Sequence, residues 1–114
     1  MSITADTAKE YASILTQDFK HPFGALRAML GTKLFILNDH GLRFDLHHAA
    51  HRVTLCDLDY DAGRDLFNLT FYKNKRFEGN VPVKTFSGLF CDQLKEVFED
   101  YTKLRLTFPF RIHA

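Results

Sequence analysis

Between Leu34 and Phe86 apolar residues fall mainly at every second position, whereas on either side of that stretch they return every third or fourth. Side chains alternate faces along a strand and come back to one face every ~3.6 residues along a helix. A chain that changes period twice therefore reads as helix, sheet, helix. The alternation is strictest in Leu42-Arg43-Phe44-Asp45-Leu46, which predicts a half-buried strand with Leu42, Phe44 and Leu46 on its covered face. Lys33 to Leu37 precedes it as a strand, with Asn38 to Gly41 as the hairpin turn and Gly41 supplying positive φ. Val53-Thr54-Leu55 and Leu66 to Tyr72 continue the pattern, with Asp59 to Gly63 as a turn between them. Lys73 to Asn80 reads as a polar loop, and Val81 to Phe86 as a short edge strand, since Pro82 cannot donate to a ladder.

Before the sheet, Thr7 and Glu10 have capping-box spacing, and Tyr11, Ile14, Leu15 and Phe19 follow at helical intervals, predicting a helix over 7–19. A second helix fits Pro22 to Leu30, with proline in the first turn and Gly31 as a left-handed C-cap. After the sheet, Phe90, Leu94, Val97, Phe98 and Tyr101 predict a helix over 88–103 with Ser87 as N-cap. Leu104, Leu106, Phe108 and Phe110 alternate beyond it and suggest a terminal strand or arm. The expected fold is α+β: an antiparallel meander of four to five strands with an N-terminal and a C-terminal helix packed on it.

The whole chain, residues 1–114, is expected to be a single domain, because its 114 residues match one hydrophobic core. Fifteen basic against fourteen acidic residues exclude a strongly acidic DNA mimic and a strongly basic nucleic-acid coat. No run approaches the ~20 apolar residues of a membrane helix. Cys56 and Cys91 are too few for a disulfide framework and read as two packing thiols, one in a strand and one in a helix. Together these readings predict a reduced, cytoplasmic protein.

Candidate chemistry is sparse. Asp57 to Asp65 alternates carboxylates as a calcium loop does, but Ala62 and Asn68 stand where an EF-hand needs glycine and a bidentate glutamate. His47 and His51 have the i, i+4 spacing of a zinc-binding helix, with His48 between them and Asp45 or Cys56 as a third ligand. No glycine-flanked serine elbow and no phosphate-cradling glycine loop is present, and no cofactor is expected. Tyr72-Lys73-Asn74-Lys75-Arg76-Phe77 interleaves rings and cations, the residue types that stack bases and neutralise phosphates. Lys33, at the mouth of the first strand, is a further candidate anion contact, set against the ordinary reading of a solvated surface lysine.

Two stretches read together resemble a small protein family of phages, prophages and other mobile elements. They are Ala28-Met29-Leu30-Gly31-Thr32-Lys33-Leu34-Phe35 and Gly41-Leu42-Arg43-Phe44. Asp65 to Phe71, Gly88 to Leu94, Phe98-Glu99 and Thr102 to Leu106 extend the likeness over about residues 14–108. Leu30 replaces the family's usual threonine, and the His47–His51 stretch differs in content. The resemblance implies a mobile-element setting and assigns no activity and no catalytic residue.

The leading expectation is a non-catalytic protein–protein interaction module, self-associating as a dimer or acting against a host system, through Tyr101, Leu106, Phe108 and Phe110. The alternative is a nucleic-acid accessory protein using Lys33, Tyr72, Lys73, Lys75, Arg76 and Phe77. A metal-dependent enzyme built on His47, His51 and Asp45 stands third.

Overall fold

A computed structural model describes residues 3–106. Phe108 and Phe110 lie outside them, so the terminal-arm expectation has no structural counterpart among the described residues. Two helices come first, α1 (Ala5–Thr16) and α2 (Pro22–Leu30), followed by strands β1 (Phe35–Leu37) and β2 (Gly41–Asp45). A short 3-10 turn (Ala50–Arg52) leads into β3 (Leu55–Asp61), β4 (Leu66–Lys75), β5 (Gly79–Leu89) and the last helix, α3 (Leu94–Thr102). The five strands pair antiparallel in chain order, β1-β2-β3-β4-β5, which is the α+β meander expected from the period changes.

Helix ends are set by local chemistry. Thr4, not Thr7, caps α1: its hydroxyl accepts the Thr7 N–H at 3.1 Å. Gln17 in the left-handed conformation stops the helix, donating its N–H to Ser13 O at 2.8 Å. Phe19 therefore falls beyond the helix, 67% exposed, where helical spacing had put it on the covered face. Pro22 opens α2, and Gly31 closes it at φ +71° as expected.

The core repeats across the sheet in rows. Leu42, Leu58 and Leu69 are register neighbours, as are Phe44, Cys56 and Phe71, and all six are buried. Ala8, Ala12, Leu15, Leu26, Leu30, Leu94 and Phe98 complete the same cluster from the helices. Phe44, Phe71 and Phe98 meet with ring centroids about 6 Å apart, a tilted arrangement that suits the ring quadrupoles. The opposite face carries the row Arg43, Asp57, Thr70 and Thr85, outside that cluster.

Several sequence expectations change. Gly41 has no positive φ; it is glycine because a Cβ there would sit 1.9 Å from the Leu58 carbonyl oxygen. Asp59 to Asp61 belong to β3, so the turn is shorter than expected. The segment read as a polar loop is a hairpin: β4 runs to Lys75, three residues turn the chain, and β5 resumes at Gly79. Ser87 lies in β5, α3 begins at Leu94 rather than Gly88, and Phe90 is 61% exposed. Cys91 is exposed in the turn before α3, whereas Cys56 is buried as expected. Leu106 is buried but forms no strand.

Candidate functional site at the basic end of the sheet

A meander sends alternate connections to opposite ends of its sheet. Phe35 pairs Phe44, Asp45 pairs Leu55, Leu55 pairs Tyr72, and Lys75 pairs Gly79. The chain entering β1, the β2–β3 loop and the β4–β5 turn thus share one end. Residues 31–34, 45–54 and 73–80 bring Lys33, Arg52, Lys73, Lys75 and Arg76 there, with only Asp45 and Glu78 as carboxylates. The other end, residues 38–41 and 59–66, carries Asp39, Asp59, Asp61 and Asp65 against Arg64. The strand connections of a chain with a net charge of +1 are therefore polarised from one end of the sheet to the other.

The β4–β5 hairpin is the most prominent part of the basic end. β3 pairs with β4 only as far as Tyr72, yet the β4–β5 ladder continues through Lys73–Val81, Asn74–Asn80 and Lys75–Gly79. A two-stranded arm therefore extends past β3. At its tip the Glu78 N–H donates to Lys75 O at 3.1 Å, and Gly79 takes φ +73°. Phe77 is 91% exposed, with the Arg76 guanidinium 5.4 Å from its ring centre. Lys75 reaches Glu78 at only 3.8 Å, an exposed pair of little stabilising value.

Lys73, Lys75, Arg76 and Phe77 are thus gathered on one element, and exposed Lys33 lies at the same end of the sheet. Tyr72 differs from them. It is half-buried at the arm's base with the Arg43 guanidinium 4.8 Å from its ring centre. Arg43 in turn forms a fork with Asp57, Nε to Oδ1 at 2.6 Å and Nη2 to Oδ2 at 3.0 Å. Burial and the adjacent Asp57 push the Tyr72 phenol up, and the Asp57 hydrogen bond raises the Arg43 pKa further. Its ring is committed to this network.

The β2–β3 loop is organised by Asp45. One carboxylate oxygen accepts from the Lys33 and Leu34 N–H groups, each at 2.8 Å, and the other meets His47 Nε2 at 2.7 Å. Burial pushes this carboxyl up, but the Leu34 and Lys33 amides and His47 outweigh it and hold the pKa below the usual carboxylate range. His48, His51 and Arg52 all have φ near +60°, a conformation that costs non-glycine residues energy. The His51 ring stacks on Tyr101 of α3 at 4.4 Å between centroids.

The two metal arrangements weighed in the sequence, at His47/His51 and at Asp57–Asp65, are not formed among the described residues. His47 and His51 do not share a helical face: one turns to Asp45 and the other to Tyr101. In the acidic stretch, Asp57 holds Arg43, Asp61 accepts the Gly63 N–H, and Asp65 accepts the Tyr60 hydroxyl. Among the described residues no three metal-ligating side chains converge. No helix among them is long and apolar enough to cross a membrane.

Sequence reading missed Arg52 and the loop around it as part of the same end. The signal was available only jointly, since strand order had to be known before residues 33, 52 and 75 could be placed side by side. No protein-family model, curated protein or solved structure matches the chain.

Proposed function

We propose that this chain is a non-catalytic accessory module of a phage or other mobile element, and that it binds nucleic acid through the β4–β5 arm. The observation that carries the reading is the arm itself: Lys73, Lys75 and Arg76 around a 91%-exposed Phe77, on a ribbon that leaves the sheet. Cations on a ribbon can neutralise successive phosphates, and an exposed ring offers a stacking platform for a base. The mobile-element setting rests on the sequence resemblance.

The exposed arm is what makes us favour nucleic acid over a protein partner. Of the four residues behind the protein-partner reading, Leu106 is buried and Tyr101 is packed between Phe71, Phe86 and His51. Phe108 and Phe110 lie outside the described residues. The basic arm suits an anionic partner, and a phosphate backbone supplies one with bases attached.

The test is fluorescence anisotropy of a labelled oligothymidylate titrated with the full chain at several salt concentrations. Binding should weaken steeply with salt, and Lys75→Ala with Arg76→Ala should lower the slope by about 1.4, or ~0.7 per lost contact to a single strand. Absent binding at low ionic strength, or binding indifferent to salt, defeats the reading.

A further inference from the structure

The arm occupies one side of the basic end, and the remaining cations are not scattered. In the order of the sheet they run from Lys33 beside β1, to Arg52 in the β2–β3 loop, to the cations of the arm. We infer that a single-stranded nucleic acid held on the arm continues across the end of the sheet, over Arg52 to Lys33. This rests on the arm's being a nucleic-acid contact, and adds a path for the strand.

Charge accounting supports the path. Within residues 31–34 and 45–54 Asp45 is the one carboxylate, and it is already taken by the Lys33 and Leu34 amides and by His47. On α3, whose Tyr101 stacks on His51, Asp100 pairs with Lys103 and Glu99 accepts the Leu106 N–H. Glu78 pairs with Lys75 at the tip. Lys33 and Arg52 are both exposed, and neither makes an ion pair with a described residue. A row of uncompensated cations attracts a polyanion rather than a single small anion.

The span is suitable. Four inter-strand spacings separate β1 from β5, roughly 19 Å at ~4.8 Å each, so several nucleotides could cross it. The left-handed backbone at His48, His51 and Arg52, pinned by the His51–Tyr101 stack, fixes the loop in that track. Such backbone persists where the surroundings enforce it, and it concentrates at binding sites. Phe77 argues for a single strand, because the base faces of a duplex are already stacked on one another.

The experiment compares two charge-removing pairs in the full chain, Lys33→Gln with Arg52→Asn and Lys75→Ala with Arg76→Ala, against labelled oligothymidylate. Asparagine is chosen at Arg52 because it tolerates φ near +59°. Thermal melts confirm that both variants fold. The first pair should lower the salt slope by about 1.4 and weaken binding on the order of tenfold, as the arm pair does. If Lys33→Gln with Arg52→Asn binds like the parent while the arm pair weakens, the track is overturned and the arm contact stands. If neither pair changes binding, both readings fall. A duplex of equal length competing as well as the single strand overturns the strandedness.

Discussion

The two ends of the sheet solve the same problem, joining antiparallel strands, in opposite ways. At the acidic end the connections are tight. Asn38 Oδ1 accepts from the His40 N–H at 3.1 Å and from the Gly41 N–H at 2.7 Å, and the Ile3 N–H reaches Asn38 O at 2.9 Å. The β3–β4 turn is likewise short and self-bonded through Asp61 and Asp65. At the basic end the β2–β3 connection is long and takes three non-glycine residues into the left-handed region, while the short β4–β5 turn sits at the tip of a ribbon that runs past β3. Turns that hold the sheet together are short and use their own side chains. The connection that carries most of the exposed cations and the exposed ring projects from the sheet as a ribbon.

The largest effect should come from the tight end. Gly41→Ala places a Cβ 1.9 Å from Leu58 O and 2.8 Å from Asp59 Cα, both backbone atoms, so β2 and β3 must separate locally. A loss of roughly 3 kcal/mol or more is expected, at the upper edge of overpacking costs. A denaturant melt reads it directly. If the variant melts with the parent, the contrast between a stabilising end and a binding end loses its best support.

Next is the clamp of the basic end. Asp45→Ala leaves the Lys33 and Leu34 amides and His47 without their acceptor, and should cost about 2 kcal/mol, as for hydrogen bonds to a charged group. The folded-state pKa of Asp45 is depressed, so its contribution is complete above the unfolded value near 3.9 and drains as pH falls through the lower folded value. Parent and variant should therefore converge in acid. A gap that does not narrow at all as pH falls below about 3.9 means that Asp45 acts by packing instead of charge.

How much of this was legible depended on whether a segment had one covered face. Leu42-Arg43-Phe44-Asp45-Leu46 announced itself because alternate side chains enter the core, and β4 did so as far as Phe71 for the same reason. The arm was illegible as a hairpin because it extends past the sheet: residues 74–80 are exposed throughout, and no apolar period marks them. The start of α3 was misplaced because Leu89, the last residue of β5, and exposed Phe90 continue the apolar spacing of the helix across a strand–helix junction. Gly31 was legible because a helix end demands its φ. The role of Gly41 was not, because close approach to Leu58 exists only once β2 lies on β3. The site residues share that second problem: the arm is local in sequence, whereas Lys33 and Arg52 become its neighbours only through strand order.

The smallest effect sharpens the comparison by changing sign. Asp59 lies at the acidic end, beside Asp57 on the same face of β3; burial first, and the Asp57 charge second, push its carboxyl pKa up. A raised folded-state pKa means that the charged form at neutral pH is disfavoured by folding, and that the penalty is relieved as pH falls through the raised value. Asp59→Asn should then melt slightly above the parent at pH 7, a gain smaller than the loss in Asp45→Ala. The gain should vanish by about pH 3, where both folded and unfolded states hold the proton. Opposite signs for Asp45 and Asp59 are informative because both sit on half-buried sheet positions of comparable chemistry. What separates them is their company: amide donors and an imidazole around one, a second carboxylate beside the other. A destabilised Asp59→Asn would show that the acidic end uses its charge, and that the sheet is polarised for reasons other than the binding of an anion at its opposite end.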